Sequence, residues 1–129
     1  MPKGGLKFDT DKPGLDMLPY EALVQMAKVL DFGKIKYHKW NWAEGISYTR
    51  LISASLRHIN AYNRGESKDP ETGLSHIAHA AVNLCFLLWH EKFRTDLDDR
   101  HFDPDTVKPK GDAKHVDKTI RKTKSRRSK

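Results

Sequence analysis

Four polar side chains, His76, His79, Asn83 and His90, recur within a run that is otherwise apolar: Ile77, Ala78, Ala80, Ala81, Val82, Leu84, Phe86, Leu87, Leu88 and Trp89. At about 100° per residue they fall within an arc of roughly 60° on a helix. One ridge of a core-type helix therefore presents imidazoles and an amide in line. Burying such a group without a partner costs on the order of 1–3 kcal/mol, so each must find a ligand, a hydrogen bond or water. Either the ridge lines a site, or His76 and His79 are partly solvated near the helix start while Asn83 bonds a neighbouring helix. His90 is read in the second way, as a residue of the exposed helix end.

The spacing His76-x-x-His79 puts two imidazoles on one face, an arrangement that ligates divalent metals when a third histidine and a carboxylate complete the shell. There is no HExxH glutamate and no His-Asp doublet. Without a metal, the same histidines would serve as general bases or phosphate donors. Lys34, Lys36, Lys39, Arg50 and Arg57 supply cations for phosphates. Tyr37, Trp40 and Trp42 supply rings that stack on a base, and Asn41 and Asn83 supply amides for its edge.

These residues need elements to hold them. Residues 1–18 read as an extended N-terminal arm punctuated by Pro13-Gly14, with Phe8, Leu15 and Leu18 pinning it to the body. A first helix opens at Pro19 with Glu21 in its first turn, presents Leu23, Met26, Ala27 and Leu30, and is weakened or bent at Gly33. Residues 38–45 read as a loop. Ser47 is a suitable N-cap for a second helix that shows Leu51, Ile52, Leu56, Ile59 and Tyr62 on one face and stops near Gly65. On the helical wheel His58 borders that face, whereas Arg57 turns to the rim. Residues 66–73 are too few to separate two helices. An antiparallel pair would bring His58 to His76 and His79, beside Glu66, Asp69 and Glu71.

The fold class expected is all-α: a small bundle of three to four helices over residues 19–105, with the arm before it and a basic tail, 106–129, after it. That tail holds ten Lys/Arg against Asp112 and Asp117, or +8, so the preceding 105 residues carry −1 of the chain's net +7. Poor in apolar residues, it reads as disordered alone. Lys118, Arg121, Lys122, Lys124, Arg126 and Arg127 are its candidate nucleic-acid contacts. The lone Cys85 sits in the apolar run and is expected to pack in the core, with no disulfide and a reducing setting. No signal peptide or membrane anchor is indicated, and the longest apolar stretch falls far short of the roughly 20 residues of a span. A cytoplasmic location is expected. At 129 residues, association into a homo-oligomer could supply missing burial.

Several blocks occur in order between Lys7 and Glu91: Lys7-Phe8-Asp9, Lys12-Pro13, Glu21-Ala22-Leu23, Phe32-Gly33-x-x-Lys36-Tyr37, Asn41-Trp42-x-x-Gly45, Arg57-His58, and Asp69-Pro70-Glu71-x-Gly73-x-x-His76-x-x-His79-Ala80-x-x-Asn83. Together they resemble a small phage family of dATP/dGTP diphosphohydrolases, associated with the all-α MazG-like nucleoside triphosphate pyrophosphohydrolases. The resemblance implies hydrolysis of a nucleoside triphosphate to monophosphate and pyrophosphate with Mg²⁺, held in MazG-like enzymes by EExxE on one helix and ExxD on the next. Here His76-x-x-His79 stands where ExxD is expected, and residues 48–64 contain no Glu or Asp. Either another metal is used, or the linker acids and Glu21 supply oxygens, or the activity does not reside in this chain.

The leading expectation is a purine deoxynucleoside triphosphate pyrophosphohydrolase with a divalent metal, Mg²⁺ or Mn²⁺, at His76, His79, Asp69 and Glu66. His58, Arg57 and Lys36 would be catalytic, with metal-activated water attacking phosphorus. Tyr37, Trp40, Asn41, Trp42 and Asn83 would bind the nucleotide. The alternative is a non-enzymatic phage protein that binds nucleic acid or another protein through its tail.

Overall fold

The computed structural model describes residues 4–106 and contains three α-helices: α1 (Tyr20–Lys36), α2 (Tyr48–Asn63) and α3 (His76–Phe93). Short 3₁₀ turns lie at Leu15–Met17, Asn41–Glu44 and Thr95–Leu97. No strand occurs among the described residues, so the fold is a small all-α bundle. No described helix is long and apolar enough to cross a membrane. The candidate tail contacts from Lys118 to Arg127 lie outside the described residues.

Local chemistry sets the helix ends close to where the sequence puts them. Pro19 precedes α1, and α1 continues through Gly33 to Lys36. Ser47 is the N-cap residue of α2, yet its side chain makes no capping bond. That work passes to Asp99, whose carboxylate accepts the Thr49 N–H (2.9 Å) and the Thr49 hydroxyl (2.7 Å). At the other end Gly65 takes φ +104°, Glu66 N–H bonds Ala61 C=O and Gly65 N–H bonds Tyr62 C=O, each at 3.0 Å. This is the paired closure that a glycine just past a helix allows. Ser75 caps α3 by accepting the Ile77 N–H at 3.0 Å.

Helices α2 and α3 form an antiparallel hairpin, since His58 near the end of α2 meets His76 at the start of α3, while Tyr48 at the start of α2 meets His90 near the end of α3. The connection is ordered by an antiparallel bridge between Lys68 and Ser75. Tyr48, Leu51, Ala61, Ala78, Ala80 and Val82 form the buried apolar core, with Ser55 buried among the polar residues. The expected face of α2 is thus only partly used: Leu51 is buried, whereas Leu56, Ile59 and Tyr62 remain exposed.

Helix α1 leans on α3 and buries no residue fully. Val24, Gln25, Met26, Val29, Phe32 and Gly33 are its half-buried positions, while Leu23 and Leu30 are exposed. The docked stripe is therefore rotated from the expected one, with Met26 shared. Phe8, Leu15 and Leu18 do not pin the arm, because they are 84, 73 and 53% exposed.

Two residues of α3 are placed opposite to expectation. His90 is fully buried at 0% exposure: its Nδ1–H donates to Phe86 C=O (2.7 Å) and its Nε2 accepts the Ile46 N–H (3.1 Å). The chain after α1 folds back over this end of α3, so a helix end is not an exposed end. Cys85 is exposed rather than packed in the core, because α3 is apolar nearly all round and its neighbours cover only part of that surface.

Candidate metal centre

The turn between α2 and α3 places its acids by backbone geometry. Asp69 Oδ1 accepts the Glu71 N–H at 2.7 Å and, more loosely, the Thr72 N–H at 3.4 Å, the side-chain turn that an Asp-Pro start favours. Gly73, at φ +74°, returns its N–H to Asp69 C=O (2.7 Å), and Asp69 N–H bonds Leu74 C=O (2.8 Å). One carboxylate oxygen is therefore spent on the turn. The other, Oδ2, lies 3.8 Å from His58 Nδ1.

Across from Asp69 stand the histidines of the hairpin. His58 Nδ1 and His76 Nδ1 are 2.8 Å apart, and His76 Nε2 is 2.8 Å from Glu66 Oε1. The ring of His79 stacks on that of His58, with centroids 4.6 Å apart and planes 7° off parallel. His79 Nε2 bonds the Thr72 hydroxyl at 2.7 Å, which in turn accepts the Leu74 N–H at 3.1 Å. One ligand-capable atom from each of His58, Asp69 and His76 lies within 4.8 Å of the others.

Burial lowers the pKa of His58, and the neighbouring His79 and His76 lower it further. Burial also lowers that of His79, with Asp69 opposing and His76 adding to the drop. For Asp69 burial acts upward, but the Glu71 and Thr72 N–H groups and the adjacent imidazoles outweigh it and hold the carboxyl below its ordinary value. His58 and His79 are thus favoured as neutral imidazoles beside an ionised Asp69, the protonation states in which such groups ligate metals.

The other site candidates divide by location. Lys36, in the last turn of α1, reaches the same end of the bundle and pairs with Glu71 at 3.2 Å, a contact that raises its pKa. Tyr37 follows it and is exposed. Arg57 is exposed and donates to Ser53 Oγ within its own helix (3.0 Å). Asn83 lies half-buried one turn beyond His79, and its side chain makes no hydrogen bond to another of the described residues.

Trp42 packs against α3 beyond the turn. It stacks on Phe86 (5.0 Å, 11°) and makes an edge-to-face contact with Trp89 (5.0 Å, 89°), with Phe86 about 15 Å along α3 from His76 at 1.5 Å per residue. Trp40 is 61% exposed and adopts a left-handed backbone at φ 67°, and half-buried Asn41 begins the 3₁₀ turn after it. Thr72 was absent from the expected site. The signal that could have found it is the Asp69-Pro70-Glu71-Thr72-Gly73 turn itself, which directs the hydroxyl back toward the start of α3.

Comparison with known proteins agrees on one family. The model described as dATP/dGTP diphosphohydrolase, N-terminal, matches residues 2–100. A Salmonella phage PMBT28 protein named dATP/dGTP diphosphohydrolase is 38% identical over 98 residues, which is 76% of this chain and 33% of the phage protein. The chain thus spans about a third of the length of that relative. No solved structure matches.

Proposed function

The chain belongs to the family described as dATP/dGTP diphosphohydrolase, N-terminal, and on that premise we propose that it acts on purine deoxynucleoside triphosphates, releasing monophosphate and pyrophosphate, with a divalent metal at the α2–α3 turn. The observation that carries this reading is the convergence of His58, Asp69 and His76 within 4.8 Å. Two imidazole nitrogens and one carboxylate oxygen suit a transition metal better than Mg²⁺, which prefers oxygen. Of the two ions expected, Mn²⁺ is the better match. When bound, such an ion supplies Lewis-acid polarisation of a phosphoryl oxygen.

The remaining groups act on the substrate. Lys36 would exchange Glu71 for a phosphate oxygen, and Arg57, on the exposed rim of α2, would take another. His79 lies outside the three converging atoms and bonds Thr72 through Nε2, so it serves as a base rather than as a ligand. Asn83 and Tyr37 remain candidates for the nucleoside, with Trp40 and Asn41 farther out. Trp42 has one face stacked on Phe86 and lies well along α3 from the turn, and it drops out of the binding set.

A second reading is favoured by the chain's covering only a third of the phage relative and by α2 containing no Glu or Asp. On that reading this is a non-enzymatic module that binds metal and nucleotide or, through its basic tail, nucleic acid. Incubating the full chain with dGTP or dATP and Mn²⁺, Mg²⁺ or Zn²⁺, then resolving the products, separates the two. Monophosphate and pyrophosphate, lost in His76→Ala, are expected. Absence of product with every metal would reject the enzymatic reading, and retention of DNA or RNA that disappears on deleting residues 106–129 would support the second.

A further inference from the structure

Glu66 stands in the sequence among the candidate ligands, but its carboxylate meets the far nitrogen of a histidine, away from the converging atoms. His76 is 4% exposed, and both its ring nitrogens are engaged: Nε2 with Glu66 Oε1 at 2.8 Å and Nδ1 with His58 Nδ1 at 2.8 Å. A carboxylate only accepts hydrogen bonds, so the Nε2 of His76 carries the proton and its Nδ1 presents a lone pair. His58 Nδ1–H then fills the space between the two rings.

Glu66 is held in place from both sides. Its N–H closes the end of α2 on Ala61 C=O at 3.0 Å, and its neighbour Ser67 accepts the His76 N–H at 3.0 Å. The backbone that ends α2 and the backbone that begins α3 are thereby tied together beside this one side-chain contact. A carboxylate on the outer nitrogen of a ligating histidine fixes its tautomer and ring orientation and strengthens it as a donor.

We propose that Glu66 is a positioning residue for the candidate metal centre: it holds His76 as the Nε2–H tautomer, so that Nδ1 is the atom offered to the ion. This rests on the reading of His58, Asp69 and His76 as a metal centre, but its first consequence concerns the metal-free protein.

The test uses the full chain, wild type, Glu66→Ala and Glu66→Gln, treated with chelator. Long-range ¹H–¹⁵N spectra of the imidazoles should show His76 as the Nε2–H tautomer in wild type and Glu66→Gln, whose amide oxygen still accepts, and a mixed population in Glu66→Ala. Half of the Glu66 side chain is exposed, so truncation spares the core, and coincident melting curves check this. Calorimetric titration with Mn²⁺ and with Zn²⁺ should then show about 10–100-fold weaker binding in Glu66→Ala, largely restored in Glu66→Gln. An unchanged His76 tautomer in Glu66→Ala, or unchanged metal affinity, would overturn the role of Glu66. Failure of the wild type to bind either ion would overturn the metal centre alone, leaving the tautomer measurement to decide on Glu66.

Discussion

His90 gives the sharpest test of how the bundle is closed at the end opposite the candidate centre. Replacing it with leucine keeps approximate volume while removing the Ile46 N–H···Nε2 bond (3.1 Å) and the Nδ1–H···O=C Phe86 bond (2.7 Å). Phe86 C=O can keep its helical partner, so the stranded group is the half-buried Ile46 N–H. Two intramolecular hydrogen bonds at about 1 kcal/mol each, offset in part by the better apolar packing of leucine, give a net loss of about 1–2 kcal/mol. For a folded body of roughly 100 residues this lowers the melting midpoint by about 5–15 °C. Urea denaturation followed by circular dichroism measures the loss at constant temperature, and His90→Gln, whose amide oxygen can accept the Ile46 N–H, should recover part of it. Metal titration of His90→Leu should match wild type, because His90 lies about 20 Å along α3 from His76. A His90→Leu protein as stable as wild type would refute the burial and bonding of this imidazole.

Other consequences follow from the same packing. Trp42→Ala should destabilise by about 2–4 kcal/mol through loss of the Phe86 and Trp89 contacts, whereas exposed Trp40→Ala should cost under about 1 kcal/mol; equal losses in chemical denaturation would contradict the placement of Trp42. In chelator, stability should be greatest above the ordinary histidine pKa and fall as pH drops through it toward the depressed values of folded His58 and His79, because the unfolded chain takes up those protons first. A further loss belongs below the ordinary carboxylate pKa, as the depressed Asp69 protonates. Denaturation midpoints that hold level or rise between about pH 7.5 and 5.5 would count against the histidine cluster. Cys85, exposed on α3, should react with a thiol reagent in the native protein at a rate near that of the unfolded chain; reaction only after denaturant would show it covered.

Much of the framework was legible in the sequence because it depends on contacts close along the chain. Pro19, Ser47 and Gly65 mark helix ends through backbone φ, missing or free N–H groups and tolerance of positive φ, and the helices end there. The short turn after Gly65 forces an antiparallel hairpin, and with it the meeting of His58, Asp69 and His76. These follow from chain length and helical period, whatever the rest of the bundle does.

Side and depth belonged to the tertiary structure. Period fixes which residues of α3 share a ridge but not which part of a nearly all-apolar helix is covered, so Cys85 emerges on the surface and His90, on the same ridge as His76, is sealed by the returning segment at Ile46. The cap of α2 comes from Asp99, fifty residues after the Thr49 groups it accepts, a distance no local pattern encodes. Glu66 and Asp69 were equivalent as acids of one linker. Only the folded turn separates them, by spending Glu66 on the outer nitrogen of His76 and turning Asp69 Oδ2 toward His58, because a carboxylate's role is set by the atom it faces.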